Sequence, residues 1–259
     1  MKTAIVTGGA VGIGKGIVES LLTEQYKVLV LDNNINELKK FHENLDECSS
    51  NNYYYKNINL QNFTELYQLL DLIKNNYSDV SLLVNNAGIY PSKSMFEISE
   101  NDWDEVHGLN LKSLFFISQG ISEVMIKNNE INCNIINITS TASEVARYGT
   151  AHYASSKAGL KMLTQVMALE LADYNIRVNS IGPGLVETNN LMNSLDHDTA
   201  IKEHQEKIGY YPLNRPANVE EIANVVQFIA SEKASFVNGQ NILVDGGYSA
   251  GKIYRSFSK

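Results

Sequence analysis

The sequence predicts an α/β protein built on a doubly wound parallel sheet, and three observations carry that reading. Short apolar runs of strand length recur along the whole chain. They are near-continuous rather than alternating, as expected of strands buried on both faces. Segments of helical periodicity separate them, so consecutive strands are joined by right-handed βαβ crossovers.

Ala4-Ile5-Val6 is the first strand, directly after Met1-Lys2, and a helix follows from Ile13. Val28-Leu29-Val30-Leu31 comes next, then a polar helix around Leu38 to Leu45. Further strands are expected at Tyr53-Tyr54-Tyr55, Leu82-Leu83-Val84, Ile135-Ile136-Asn137-Ile138, Ile176-Arg177-Val178 and Ile242-Leu243-Val244. Ser99-Glu100-Asn101-Asp102 offers a helix cap with an acidic residue three positions on, opening a long helix towards Lys127. A second long helix runs from near Ala151 to about Asp173. Residues 187–212 carry scattered apolar positions among polar ones, a pattern that suits a substrate lid and a plain surface helix pair equally. No Pro-, Ser- or Gly-rich stretch divides the chain, so residues 1–259 read as one domain.

Of the 259 residues, 44% are hydrophobic and 19% charged, which excludes a disordered chain and suffices for a large core. The net charge of −8 disfavours nucleic acid or an anionic membrane as partner. Cys48 and Cys133 form no cluster, so neither a disulfide framework nor a metal site is indicated. No apolar run approaches the ~18 residues of a membrane span, and a strand begins where a signal peptide would lie. A soluble cytoplasmic protein is the expectation.

Thr7-Gly8-Gly9-Ala10-Val11-Gly12-Ile13-Gly14 joins the first strand to the first helix. Glycines there let the backbone turn tightly and bring a pyrophosphate onto N–H groups at a helix N-terminus. Their spacing departs from the common G-x-G-x-x-G, so the turn alone is weak evidence. Asp32 strengthens it by closing the second strand 20 residues beyond Gly12, where a dinucleotide site places a carboxylate on the adenosine ribose. A carboxylate accepts hydrogen bonds from both ribose hydroxyls and repels a 2′-phosphate. Asn33 and Asn34 follow it, and the turn has no basic residue before Lys15, so NAD is favoured over NADP.

Tyr153-Ala154-Ser155-Ser156-Lys157 places a phenol and an ammonium at i and i+4 on one helix face. Ser140 lies 13 residues earlier, at the end of the fifth strand. A tyrosine titrates near 10, too high for neutral-pH proton transfer. Lowering that by ~3 units takes ~4 kcal/mol, about what one cation ~4 Å away supplies at an effective dielectric near 20. Lys157 is expected to be that cation. Tyr248 and Lys252 repeat the spacing, with Ser235 again 13 residues before the tyrosine. Gly246-Gly247 and Gly251 deny that copy a stable helix, so it reads as chance.

With these motifs in order, from about Thr3 to Tyr248, the chain resembles the short-chain dehydrogenase/reductase family. Asn85-Asn86-Ala87-Gly88, Asn110, Asn179, Pro183-Gly184, Thr188 and Val244-Asp245-Gly246-Gly247 add to the match. The resemblance implies a seven-stranded Rossmann-like sheet with helices on both faces, a nicotinamide cofactor and a homotetramer. It casts Tyr153 as general acid/base, Ser140 as the substrate-orienting hydroxyl, Lys157 as a ligand of the nicotinamide ribose and Asn110 as the holder of a relay water. Gly8, Gly12, Ile13 and Gly14 would carry the cofactor, with Asn86 and Gly88 lining its adenosine side and Pro183, Val186 and Thr188 flanking the nicotinamide. Asn59, followed by Leu60, takes the place of the family's adenine-binding Asp, so adenine is expected to be held without charge.

The remaining histidines lack metal-ligand spacing; His152, next to Tyr153, has the substrate pocket and solvent as its two readings, and solvent is the expected one. Glu144, Arg147 and Tyr148 suit a hydroxyl-rich or carboxylated substrate and an exposed loop about equally. The function expected is an NAD-dependent interconversion of a small-molecule secondary alcohol and its ketone. The alternatives are a 3-oxoacyl-thioester reductase, more usually NADPH-linked and opposed by Asp32, and a non-catalytic dinucleotide sensor, which has no need of a tuned phenol. A Rossmann-like methyltransferase would leave Tyr153 and Lys157 without a role.

Overall fold

The computed structural model describes residues 2–128, 132–188 and 198–251. Seven parallel strands form one sheet: β1 Thr3–Thr7, β2 Lys27–Asp32, β3 Tyr53–Asn57, β4 Val80–Asn85, β5 Cys133–Ile138, β6 Ile176–Pro183 and β7 Asn241–Val244. Their order is β3-β2-β1-β4-β5-β6-β7, so the direction of winding reverses between β1 and β4. All seven strands read from the sequence are present.

Register explains the continuous apolar runs. Leu29, Ile5, Leu83, Ile135 and Val178 lie side by side across five strands. They are buried in one core, with Leu66 and Leu69 of α4 (Phe63–Asn76), Ile117 and Ile121 of α6 (Leu114–Asn128) and Met167 of α7 (Ala151–Glu170). Their neighbours in sequence, Ala4, Val6, Val28, Val30, Leu82, Val84 and Ile136, point to the opposite core. There they meet α1 (Gly12–Thr23), α2 (Ile35–Glu43) and α9 (Val219–Ala230). Both faces of each inner strand are covered, so both parities must be apolar.

The Ser99 cap forms as predicted. Its hydroxyl accepts from the Asp102 N–H at 3.2 Å while the Asp102 carboxylate accepts from the Ser99 N–H at 3.0 Å. The long helix it opens is not uniform. After α5 (Glu100–His107) comes a π-helical stretch at Gly108–Ser113, and α6 continues the helix. Such an insertion re-aims side chains, and here it carries Asn110. Helix α7 ends at Glu170, and the turn Ala172–Tyr174 that follows is closed by Asn175 in a left-handed conformation. Of the expected lid, residues 189–197 lie outside the described residues and Asp198–Gly209 forms helix α8.

Candidate active site

Because every strand is parallel, the glycine turn, Asp32, the 86–88 segment, Ser140 and Pro183 all emerge at one edge of the sheet. That edge, around the reversal between β1 and β4, is where open α/β sheets hold their ligands. In the turn, Gly8 and Gly12 have positive φ of 64° and 58°. A Cβ on Gly14 would lie 2.0 Å from the Gly8 oxygen, and one on Gly8 would lie 2.8 Å from the Ala87 Cα. Helix α1, whose first turn includes Ile13, opens with no side-chain cap and no acidic residue, leaving its first N–H groups available to an anion. Thr7 Oγ1 accepts from the Asn86 and Ala87 N–H groups, both at 3.0 Å. The Asn86 amide donates to the Thr7 oxygen at 3.1 Å and to the Gly8 oxygen at 2.8 Å. Asn86 therefore ties the turn to the end of β4. An uncapped helix start beneath a turn that admits no side chains fits a dinucleotide pyrophosphate.

Asp32 is aimed at the same turn. Its oxygens accept from the Ala10 N–H and the Asn34 N–H, each at 3.0 Å. Each oxygen keeps a further lone-pair direction for a ribose hydroxyl. Lys15, the basic residue that directly follows the glycine turn, pairs with Glu19 and stands over the Phe41 ring. Asn59 is exposed, with its side-chain oxygen accepting from the Gln61 N–H at 3.0 Å, and Leu60 is buried beneath it. That hydrogen bond uses part of the acceptor capacity an adenine amino group would need.

Ser140, Tyr153 and Lys157 are brought together. Ser140 follows β5 and caps a short turn, its Oγ accepting from the Ala142 N–H at 3.1 Å, which leaves the hydroxyl proton free to donate. Ser140 stands close enough to the Tyr153 phenol to act on it, favouring its ionised form. Lys157 is buried, donates from Nζ to the Ile138 oxygen at 2.8 Å, and lies 6.0 Å from the Tyr153 ring centre. Burial pushes its ammonium down to about 8. Burial also raises the Tyr153 phenol above its ordinary value, against Ser140 and the charge of Arg147, which act downwards. From the sequence, Lys157 is expected to lower the phenol; in the folded protein the largest influence on it is burial, which acts upwards, and Arg147 joins the cations that act against it.

Asn110 is fully buried. Its Oδ1 accepts from the Ile89 N–H at 2.9 Å, and its Nδ2 donates to the Ile89 oxygen at 2.8 Å and the Ser156 hydroxyl at 3.3 Å. A Cβ on Gly88 would approach Asn110 Oδ1 to 3.0 Å and Lys157 Nζ to 3.5 Å. Gly88 thus packs against the Tyr153 side of the site. A buried polar ladder anchors this region. Asn85 donates to Asn137 and Ser118, and Asn137 donates to Thr164 of α7, all at 2.8 Å. Beyond Pro183, Val186 bridges to Ala217, and Thr188 reaches the turn, its Cγ2 3.6 Å from where a Gly12 Cβ would stand.

The family description "Enoyl-(Acyl carrier protein) reductase" matches residues 8–249. The chain belongs to the short-chain dehydrogenase/reductase family. Across 95% of its length it is 33% identical to a 3-oxoacyl-[acyl-carrier-protein] reductase of Thermotoga maritima, covering 97% of that protein. It is 32% identical, again over 95% of its length, to glucose 1-dehydrogenase 2 of Bacillus subtilis, covering 94% of that protein. A solved 4-hydroxyisoleucine dehydrogenase mutant, complexed with NADH and succinate, matches with a TM-score of 0.88 and 26% identity, covering 97% of this chain and all of that one. The protein is an oxidoreductase of this family, on a fold that binds a nicotinamide dinucleotide. No described helix is long and apolar enough to cross a membrane, and the described residues hold no group of side chains that could bind a metal.

Within this short-chain dehydrogenase/reductase, three outlying groups depart from expectation or were not foreseen. His152 is buried, not solvent-facing, with neither ring nitrogen hydrogen-bonded, and burial lowers its pKa, so it is a neutral packing residue. Glu144 is bound by Lys161 at 2.6 Å and by Asn241 at 2.9 Å, which consumes the carboxylate structurally. Tyr211, which the sequence did not single out, is buried and is pushed up to about 12, chiefly by burial. Tyr248 stacks on it with ring centres 5.0 Å apart. Tyr248 lies in a short turn, Tyr248–Ala250, before Gly251, and Lys252 is outside the described residues. Tyr248→Phe keeps the stack and is expected to hold kcat/KM within about two-fold, since it costs under ~0.5 kcal/mol. A loss as deep as that of a Tyr153 variant in steady-state assays would make Tyr248 the proton-transfer group.

Proposed function

We propose that this protein is an NAD-dependent dehydrogenase interconverting a secondary alcohol and its ketone, with Tyr153 as the proton-transfer group. The observation that carries this reading is the convergence of Ser140, Tyr153 and Lys157 where the fifth strand ends, Lys157 bonded to the Ile138 oxygen and 6.0 Å from the Tyr153 ring centre. The nicotinamide, when bound, supplies or accepts the hydride at the substrate carbon. Ser140 donates to the substrate oxygen and holds it against the Tyr153 Oη. In oxidation the phenolate takes the hydroxyl proton; in reduction the phenol returns it to the carbonyl oxygen. Lys157 holds the nicotinamide ribose and favours the phenolate through its charge. Asn110, with its amide committed to Ile89, fixes the loop after β4 beside the relay water that it would hold.

For the cofactor, Gly8, Gly12, Ile13 and Gly14 receive the pyrophosphate, Asp32 the adenosine ribose, and Asn59 and Leu60 the adenine edge. Asn86 and Gly88 support the turn and the active-site wall, while Pro183, Val186 and Thr188 border the nicotinamide. NAD is preferred because the Asp32 carboxylate stands where a 2′-phosphate would sit, and Lys15 is engaged with Glu19. Asp32→Ala is expected to shrink the NAD-over-NADP preference in kcat/KM by about 10-fold or more, the worth of a charge-assisted hydrogen bond. An unchanged ratio would show that Asp32 does not read the ribose. A homotetramer belongs to this reading, and the exposed stripe Met162, Val166 and Leu169 on α7 supports it.

A second reading is favoured by the 33% identity to a 3-oxoacyl-[acyl-carrier-protein] reductase: reduction of an acyl thioester with NADPH. Assays with acetoacetyl thioester and each reduced cofactor separate the two. Turnover confined to NADPH and the thioester would establish the second.

A further inference from the structure

We propose that Arg147 is the carboxylate-binding residue of the substrate cleft, so that the substrate is a hydroxy acid and the product its oxo acid. This rests on the dehydrogenase reading and names its substrate class.

Arg147 lies on the segment between Ser140 and Tyr153, the two groups that would grip the reacting oxygen. The segment is pinned. The Thr150 hydroxyl donates to the Arg147 oxygen at 2.7 Å, and the Lys93 N–H donates to the Gly149 oxygen at 2.9 Å. Gly149 has a φ of 77° and packs so closely on Ser92 that a Cβ would stand 2.8 Å from its Oγ. Arg147 is therefore presented from a fixed backbone, with an exposed side chain. Among the described residues its guanidinium has no ion pair. The acid nearest it in sequence, Glu144, is spent on Lys161 and Asn241.

The charge of Arg147 is felt on two sides, by the Tyr153 phenol and by Tyr211. Tyr211 packs against Gly184, where a Cβ would lie 2.8 Å from its ring, beside the Pro183 end of β6. A cation without an ion pair among the described residues is thus carried on the pinned segment between Ser140 and Tyr153, in a chain of net charge −8 that otherwise repels anions. A guanidinium is a planar fork suited to bidentate carboxylate recognition, and a neutral alcohol or thioester would leave it without a partner. One such pair is worth about 10- to 100-fold in affinity.

The test compares acids with their neutral amides: lactate, 3-hydroxybutyrate and gluconate against lactamide, 3-hydroxybutyramide and gluconamide. Binding to the NADH complex is read by fluorescence in the Tyr153→Phe variant, and kcat/KM is read in the otherwise unmodified enzyme. At least one acid is expected to bind about 10- to 100-fold more tightly than its amide, and Arg147→Gln should collapse that ratio towards one, with Arg147→Lys restoring part of it. Removing the Arg147 charge also raises the phenol further, and loss of the loop would slow every substrate. Both effects move acid and amide together, so the ratio isolates the carboxylate. Acids that bind no better than amides, or a ratio that survives Arg147→Gln, would overturn the proposal. Binding without NAD-linked turnover of any acid or amide by the unmodified enzyme would instead overturn the dehydrogenase reading and leave the acid-to-amide binding ratio to decide on Arg147.

Discussion

Tyr153→Phe is expected to lower kcat by about 10²–10⁴-fold, the contribution of a positioned general acid/base, while NADH affinity stays within a few-fold. The ring remains, so packing beside Ser140 and Lys157 is kept and only the exchangeable proton goes. Burial holds the phenol above its ordinary value against Ser140 and Arg147. Alcohol oxidation, which needs the phenolate, should therefore accelerate as pH rises. Ketone reduction uses the protonated phenol and should stay level until that phenol titrates. Loss of Lys157 charge above about 8 works against the phenolate and flattens the upper end of the oxidation profile. Steady-state rates in both directions, with a fluorescence titration of NADH, check these points. Substantial residual turnover in the variant would remove the proton-transfer role.

Lys157→Met separates function from stability. Activity should fall by about 10²-fold or more with the cation proposed to support the phenolate and hold the ribose. Stability should rise. The folded ammonium titrates at about 8, against 10.5 for an ordinary lysine. The unfolded chain therefore binds the extra proton between those values. Below about 8 the buried lysine costs on the order of 3 kcal/mol, and the cost disappears as pH climbs towards 10.5. Methionine removes it but leaves the Ile138 oxygen without its donor, returning roughly 1–2 kcal/mol. The net gain near neutral pH corresponds to a Tm higher by about 3–6 °C, shrinking towards pH 10. A gain over the wild type no larger at pH 7 than at pH 10 would show that Lys157 is not desolvated.

Much of the fold is legible because one constraint acts at every inner strand. A sheet covered on both faces demands apolar residues at both parities, and the pairing of Ile5, Leu29 and Leu83 on one side with Val6, Val30 and Val84 on the other is that constraint written into the sequence. The Ser99 cap and the i, i+4 spacing of Tyr153 and Lys157 are equally local. What escaped the sequence is long-range. Neither the burial of His152 nor the capture of Glu144 by Lys161 has a local signal, since each depends on which elements pack across it. The balance at Tyr153 went unseen for a related reason. A pairwise Coulomb sum treats Lys157 as a nearby point charge and omits the cost of burying both partners, and in the folded protein that cost dominates. The π-helical insertion at Gly108–Ser113 leaves no mark in a pattern read at the α-helical period, although it decides where Asn110 points.

The most direct test of the central claim is a spectrophotometric screen of NAD and NADP reduction by polyols, sugars, hydroxy acids and hydroxyacyl thioesters, with Tyr153→Phe alongside. NAD-linked oxidation of a secondary alcohol is expected, strongest among hydroxy acids and lost in the variant. Tight NADH binding without turnover of any class would contradict it and identify a dinucleotide-binding protein that does no hydride chemistry.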